Sequence, residues 1–243
     1  MSRVLKPIKP KEEETMRITL SIGGSVLLVN GKPNVEVLSQ FVSAVKRLRR
    51  LGHQVFVVVG GGNIARRYIE AARKLKLPTH LLDEIGIATT RLNAKLVALL
   101  LGHNVDVPRT VEAAIEQAMH GMTPVMGGTA PGQTTDAVAA ALASSNGSDI
   151  LVFITDVDGI YTTDPKKDPK AQKIVRLTTK ELTKMFSQVC QSPGMNVVLD
   201  PIAVKLIYRH KLKTLVLPAS DIPRLPEIVA GEPHSGTTVE PVE

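Results

Sequence analysis

Residues 55–74 read VFVVVGGGNIARRYIEAARK and contain a strand, a turn and a helix in succession. The five consecutive apolar residues 55–59 predict a strand buried on both faces, as is typical of parallel sheets. Gly60, Gly61 and Gly62 end this strand, and the pattern predicts a helix from Ile64 to Leu75. A buried strand followed by glycines and a helix indicates an α/β fold.

The same alternation extends along the rest of the chain. Further strands are predicted at 17–22, 124–126, 149–154, 214–217 and 236–240. Further helices are predicted at 34–51, 85–101, 111–119, from 135 onward, at 178–187 and at 201–210. We therefore expect a three-layer α/β/α sandwich with a largely parallel central sheet. We expect it to form a single domain over residues 16–243, preceded by a polar, disordered extension at 1–15.

The composition is that of an ordinary globular protein, with 43% hydrophobic residues and a formal net charge of +7. A basic excess favours anionic partners. The densest basic cluster, KRLRR at 46–50, is better explained as the end of a helix than as a nucleic-acid surface, because no aromatic residues accompany it. The single Cys190 and the lack of a long apolar run predict a cytoplasmic protein with no membrane partner. The dispersed basic residues predict no specific nucleic-acid partner.

Four predicted strands end in small or polar residues. These ends are Gly23–Ser25, Gly60–Gly62, residues 127–136 (GGTAPGQTTD) and residues 155–159 (TDVDG). In open α/β sheets, ligands bind beyond the carboxyl ends of the strands. Glycine turns and helix N-termini direct N–H groups at anions, so the sequence predicts a phosphate-binding edge.

Two charged residues on this edge are candidates for chemistry. Arg66 lies one helical turn after the triple glycine, so its guanidinium can reach an anion bound there. Asp136 lies in the first turn of a helix, where an acidic residue is also favoured by the helix dipole alone. The acidic residues between 156 and 168 occupy a turn-rich loop, where aspartate is common for local reasons.

Known phosphate motifs fit less well. The P-loop pattern is absent. A dinucleotide-binding fingerprint remains an alternative, because Gly60, Gly62 and Ala65 have the required spacing and Asp83 or Glu84 lies at a suitable distance. Against it, this turn follows the second strand, and residues 77–83 make a poor strand on which to place a ribose-binding acid.

Four segments together resemble the uridylate (UMP) kinases, in their archaeal form, of the amino acid kinase superfamily. They are VVVGGGNIARRYIE, PVMGGTAPGQTTDAVAA, DILVFITDVDGIYTTDPKKDP and VLDPIAVKLI, in the order in which the family has them. The resemblance extends from about Met16 to Glu240. It implies the amino acid kinase fold and transfer of the ATP γ-phosphoryl group to UMP, with Mg²⁺ on the phosphates. It also implies a homohexamer.

The resemblance carries over specific residues. The residues implied for ATP are Gly23, Gly24, Ser25, Gly62, Arg66, Thr155, Tyr161 and Asp164. The residues implied for UMP are Gly61, Asp83, Thr129, Ala130, Pro131, Gly132, Gln133, Thr134 and Thr135. No set of metal-ligating residues is predicted. We expect Arg66 to stabilise charge in the transition state and Asp136 to organise backbone amides or a Mg²⁺-bound water.

One position departs from the superfamily pattern. Many members have a lysine two residues before the first glycine pair, and this chain has Ser21 there. Arg66, Lys166 and Lys167 are candidates for the missing positive charge. The departure leaves open a non-catalytic nucleotide or oxyanion binder, and the superfamily also contains kinases for other small phosphates, such as isopentenyl phosphate.

Overall fold

The computed structural model describes residues 15–163, 165, 168–189 and 199–242. The predicted extension at 1–15 therefore lies, except for Thr15, outside the described residues. The strands are β1 (Arg17–Ile22), β2 (Leu28–Val29), β3 (Lys32–Pro33), β4 (Gln54–Val59), β5 (Val125–Met126), β6 (Ile150–Thr155), β7 (Ile160–Tyr161), β8 (Lys173–Ile174), β9 (Arg176–Thr178), β10 (Thr214–Pro218) and β11 (Thr237–Glu240).

Seven of these strands form one sheet in the order β5-β4-β1-β6-β10-β11-β9. Every neighbouring pair is parallel except β10 with β11, which is antiparallel. β1 lies between β4 and β6, with Ile22 level with Val59 on one side and with Ile154 on the other. This register brings the residues after three strands to the same edge of the sheet.

The helices are α1 (Gly24–Leu27), α2 (Val35–Arg50), α3 (Gly62–Lys74), α4 (Thr79–Leu101), α5 (Val111–Met119), α6 (Thr135–Asn146), α7 (Thr179–Val189), α8 (Pro201–Arg209) and α9 (Leu225–Val229), with a 3₁₀ helix at Ala219–Arg224. Two cores result because successive strand residues face opposite sides. Leu20 and Val57 pack with α2, α4 and α9, whereas Phe56 and Phe153 pack with α5 to α8. The predicted three-layer α/β architecture is confirmed.

Local sequence signals explain several helix starts. The Asn34 side chain accepts a hydrogen bond from the Val37 amide at the start of α2. Thr178 and Glu181 form a capping box before α7, since each side chain accepts the other residue's backbone N–H. Asp200 caps α8, which has proline at its first position.

Several features differ from the expectation: α4 starts earlier than predicted, and the short elements α1, β2, β3, β7, β8, β9, α9 and the 3₁₀ helix were not predicted. The long helix α4 begins at Thr79 and not at Ile85; Pro78 is its N-cap residue, with a non-helical ψ of 146°, and the helix starts at the next residue. The short strand β9 was not predicted; it pairs with β11, far away in the sequence.

The basic cluster at 46–50 ends α2. Lys46 donates to the Leu100 carbonyl, Arg49 donates to Thr123 and the Gly121 carbonyl, and Arg47 pairs with Glu227. These side chains therefore join α2 to neighbouring elements. Within the described part of the chain, no helix has the length and apolar character needed to cross a membrane.

Candidate functional site

Two glycine turns meet at the carboxyl edge of the sheet. The turn after β1 contains Gly23 and Gly24, and the turn after β4 contains Gly60 to Gly62. A Cβ added to Gly24 would lie 2.6 Å from the Gly60 carbonyl oxygen and closer still to the Gly62 amide nitrogen. Gly62 also has a φ of +64°. Only glycines allow these two backbones to pack directly against each other.

A cleft of about 460 Å³ opens beside the two turns. Most of the residues that the sequence analysis assigned to ATP binding and catalysis line this cleft. The predicted residues on its walls are Gly23, Gly24, Ser25, Gly61, Gly62, Arg66, Thr135, Asp136 and Thr155. They come from the ends of β1, β4 and β6 and from the first turn of α6, so four separate segments meet at one site.

The cleft suits an anion. The N-termini of α3 and α6 reach its wall through Gly62 and Thr135, and the positive ends of their dipoles favour negative charge. Arg66 also lines the cleft, is exposed, and forms no hydrogen bond or ion pair with any residue that the structure describes. Its guanidinium is therefore available to a ligand.

Two carboxylates line the cleft, Asp136 and the exposed Asp156, and Asp136 is the less exposed of the two. Its carboxylate lies 3.5 Å from the Ser21 hydroxyl, a long and weak hydrogen bond. Desolvation by burial and, to a lesser extent, the nearby carboxylate of Asp200 raise the pKa of Asp136 to about 6, against the opposing effect of the Ser21 hydroxyl. Asp136 is thus a carboxyl group that titrates close to neutral pH.

A second cavity of about 490 Å³ adjoins the cleft at Thr155. Tyr161 lines it and donates a hydrogen bond to Asp158, which also pairs with Lys173 at 3.0 Å. The Tyr161 hydrogen bond and Lys173 lower the pKa of Asp158. Tyr161 and Thr155 are therefore both at this end of the site. The predicted site residue Asp164 lies outside the described residues.

Most of the residues that the sequence analysis assigned to UMP lie on a neighbouring surface. We call residues 127–134 the threonine loop; from Ala130 to Thr134 it is exposed, and Thr134 caps α6 by accepting from the Ala137 amide. Asp83, on α4, accepts a hydrogen bond of 2.9 Å from the Gly132 amide. The structure thus brings Asp83 to the threonine loop. Neither Asp83 nor the threonine loop lies on the walls of the cleft. Of the residues assigned to UMP, Gly61 and Thr135 are the two that line it.

Three residues of α4 that were not predicted hold these loops. Thr90 accepts from the Gly128 amide, Arg91 donates to the carbonyls of Gly128 and Thr129, and Asn93 donates to the carbonyl of Gly60. The sequence did contain a signal for two of them, because Thr90 and Asn93 are polar residues within the otherwise apolar pattern of α4. Thr90 and Asn93 are both buried, which a purely apolar packing face would not require.

The dinucleotide-binding alternative does not fit this geometry. Asp83 lies inside α4 and not at the end of a strand, and the triple-glycine turn follows β4, which is not the first strand of the sheet. The fingerprint requires an acidic residue at the end of the next strand. The spacing of Gly60, Gly62 and Ala65 is therefore coincidental.

A family model described as "Amino acid kinase family" matches residues 16–218. The chain belongs to the amino acid kinase family. The uridylate kinases of Pyrococcus abyssi and Thermococcus kodakarensis are 41% and 42% identical to it, and each match covers 93% of this chain and 100% of the relative. The resemblance inferred from the four motifs is thereby confirmed.

Solved structures agree with this family assignment. Uridylate kinase from Archaeoglobus fulgidus superposes with a TM-score of 0.80 at 40% identity, covering 92% of this chain and 100% of that one. Aspartate kinase from Synechocystis superposes with a TM-score of 0.67 at 21% identity, covering 93% of this chain and 40% of that one. The second similarity shows that the amino acid kinase fold is shared.

Proposed function

We propose that this protein transfers the γ-phosphoryl group of ATP to UMP, giving UDP and ADP. The observation that carries the proposal is the pair of glycine turns packed backbone to backbone at a cleft that also contains Arg66 and two helix N-termini. Such a cleft suits a chain of phosphates. The full-length similarity to proteins named uridylate kinase supports UMP as the acceptor.

ATP occupies the cleft and the adjoining cavity in this proposal. Its phosphates lie against Gly23, Gly24 and Ser25, with Gly62 and Arg66 next to the group in transfer. Thr155 and Tyr161 contact the adenine nucleoside, and the same role is proposed for Asp164 from the sequence. The continuity of the two cavities at Thr155 supports this arrangement, because one long ligand can span both.

UMP occupies the acceptor side. Gly61 contacts its phosphate, Asp83 accepts hydrogen bonds from its ribose hydroxyls, and residues 129–135 enclose the uracil and the phosphate. Asp83 already holds the Gly132 amide with one carboxylate oxygen, which leaves acceptor capacity on the other oxygen for a ribose hydroxyl.

The residues of the site act by positioning and by charge. A phosphate oxygen of UMP is nucleophilic near neutral pH, so phosphoryl transfer requires no general base. Arg66 stabilises the negative charge that develops on the transferred group. Asp136 would organise backbone amides at the start of α6 or a water on a bound Mg²⁺. Its pKa of about 6 means that it is mostly ionised at pH 7 and above.

The donor set of the cleft fits Mg²⁺. Mg²⁺ prefers oxygen ligands and is usually bound by one or two carboxylates together with substrate phosphates. Asp136 is a half-buried carboxylate at the cleft, and within the described residues no three His, Cys, Asp or Glu side chains form a cage. Asp136 would hold the ion, directly or through water. When bound, Mg²⁺ neutralises charge on the ATP phosphates.

We also propose assembly into a homohexamer in the cytoplasm. The exposed leucines Leu92, Leu99 and Leu100 on α4 support association between copies, because a helix rarely presents several leucines to water. The single Cys190 suits a reducing compartment. Sedimentation equilibrium tests the assembly: a mass six times that of the chain is expected, and a monomer at micromolar concentration contradicts it.

A substrate panel tests the proposed function. Mg-ATP is combined with UMP, CMP, AMP, GMP or isopentenyl phosphate, and ADP formation is followed by a coupled assay. Turnover with UMP well above that with the other acceptors is expected. Turnover with isopentenyl phosphate and none with UMP would identify another small-phosphate kinase. Because Ser21 replaces a lysine, binding of ATP and UMP without any turnover would identify a non-catalytic binder.

A further inference from the structure

Arg91 has no role in the proposed assignment of ATP and UMP, yet it contacts the acceptor side at two points. Its Nε atom donates to the Gly128 carbonyl at 3.1 Å, and its Nη2 atom donates to the Thr129 carbonyl at 3.0 Å. We propose that Arg91 is a positioning residue that fixes the threonine loop in the form that binds the acceptor nucleotide. This inference rests on the proposed function.

The two hydrogen bonds set the direction of two peptide groups. A trans peptide is planar, and its N–H points opposite to its C=O. Because the carbonyls of Gly128 and Thr129 point towards Arg91, the amides of Thr129 and Ala130 point away from it. Neither amide has an acceptor among the described residues. Arg91 therefore presents two unpaired N–H groups of the threonine loop to a ligand.

The surroundings of Arg91 indicate that it is placed for this contact. It is half-buried, and no carboxylate among the described residues pairs with it. Burial lowers its pKa, and the nearby positive charge of Arg109 lowers it further. A cation held against such costs needs compensating interactions, and the structure provides the two loop carbonyls. A rigid guanidinium fork matches two carbonyls in a way that a lysine cannot.

The same helix, α4, also holds the triple-glycine turn at Gly60 to Gly62. Two residues within one helical turn of Arg91 make these contacts. Thr90 accepts a hydrogen bond from the Gly128 amide at 2.7 Å, and Asn93 donates one to the Gly60 carbonyl at 2.9 Å. α4 thus joins the threonine loop to the triple-glycine turn through side chains spaced within one helical turn. Loss of the Arg91 contacts releases the carbonyls of Gly128 and Thr129 and loosens this part of the loop, while Thr90 still holds the Gly128 amide and Asn93 still holds the glycine turn.

Kinetic measurements with substitutions at Arg91 test the inference. Arg91→Met keeps much of the apolar stem and removes both hydrogen bonds, and Arg91→Lys keeps the charge but not the fork. We expect Arg91→Met to raise the KM for UMP roughly tenfold or more, because both lost bonds have a charged donor. The KM for ATP should change less than about twofold, and Arg91→Lys should restore only part of the loss.

Two further measurements separate positioning from general stability. Arg109→Met is the matched control, since Arg109 is an exposed neighbouring cation with no hydrogen bond to the described residues. It should leave both KM values unchanged. In Arg91→Ala, millimolar guanidinium should recover UMP affinity by occupying the vacated space. Hydrogen exchange without ligand should be faster at the hydrogen-bonded loop amides of Gly128 and Gly132 and unchanged in β1 and β6.

The outcomes are distinguishable. An unchanged KM for UMP together with unchanged loop exchange in Arg91→Met overturns the inference. So does a parallel loss of UMP affinity, ATP affinity and melting temperature, which marks a general structural role. Calorimetric binding of UMP covers the case of an inactive wild type. If UMP binds and Arg91→Met weakens it, the proposed function fails and the inference stands; if UMP does not bind, both fail.

Discussion

The contact between the two glycine turns gives the sharpest structural prediction. Gly24→Ala places a methyl group where the backbone of Gly60 to Gly62 already lies. The added carbon would be 2.6 Å from the Gly60 carbonyl oxygen and 2.6 Å from the Gly61 carbonyl carbon. Both atoms belong to backbone, which cannot rotate away as a side chain does. The turns must therefore separate by about 1 Å to reach ordinary contact distances.

This separation has two measurable costs. Overpacking of this kind destabilises a folded protein by about 1–3 kcal/mol. For a domain of this size, that corresponds to a fall in melting temperature of roughly 2–12 °C. A displacement of about 1 Å between groups that position the phosphates should also lower kcat/KM roughly 100-fold. Activity should thus fall far more than stability.

Thermal unfolding and steady-state kinetics with UMP and Mg-ATP check both costs. Gly23→Ala is the control for stability, because its added carbon would lie 3.4 Å from the nearest atom, the Ile154 carbonyl oxygen. Its melting temperature should match the wild type. A Gly24→Ala protein with wild-type melting temperature and wild-type activity would refute the close contact between the two glycine turns and their proposed role in phosphate binding.

Three further substitutions test individual side chains. Because the pKa of Asp136 lies at about 6 and not 3.8, the folded state keeps this proton longer than the unfolded state, so stability falls as pH rises from 4 to 6. Asp136→Asn should remove this dependence and raise stability at pH 7.5 by at most about 3 kcal/mol, measured by urea unfolding; an unchanged pH profile would contradict the assigned burial. Asp83→Asn should raise the KM for UMP with little change in that for ATP, because it weakens the acceptor for the ribose and for Gly132; equal changes in both constants would argue against this role. Arg66→Ala should lower kcat about 100-fold or more, and an unchanged kcat would remove Arg66 from the transition state.

The sheet edge could be predicted because its signals are local. Each strand is a short apolar run that ends directly in glycine or threonine, and parallel strands bring such ends together. The start of α6 was equally clear, since Thr134 caps it just before an alanine-rich helix. Nine predicted site residues therefore lie on one cleft.

Features that depend on distant contacts could not be predicted. The elevated pKa of Asp136 depends on burial and on Asp200, which is remote in the sequence. β9 is three residues long and is defined only by pairing with β11. The loop contacts of Arg91 depend on which side of α4 faces the threonine loop, and the weak periodicity of this helix does not define that side.

Transfer of phosphate from ATP to UMP in this cleft is the core of the proposed function. The most direct measurement incubates the protein with Mg²⁺, ATP labelled with ³²P at the γ position, and UMP, and then separates the products. The proposed function predicts that the label appears in UDP, at its β-phosphate, and that no UDP is labelled when UMP is omitted. Label found only in ATP or in inorganic phosphate, with unlabelled uridine nucleotides, would contradict it.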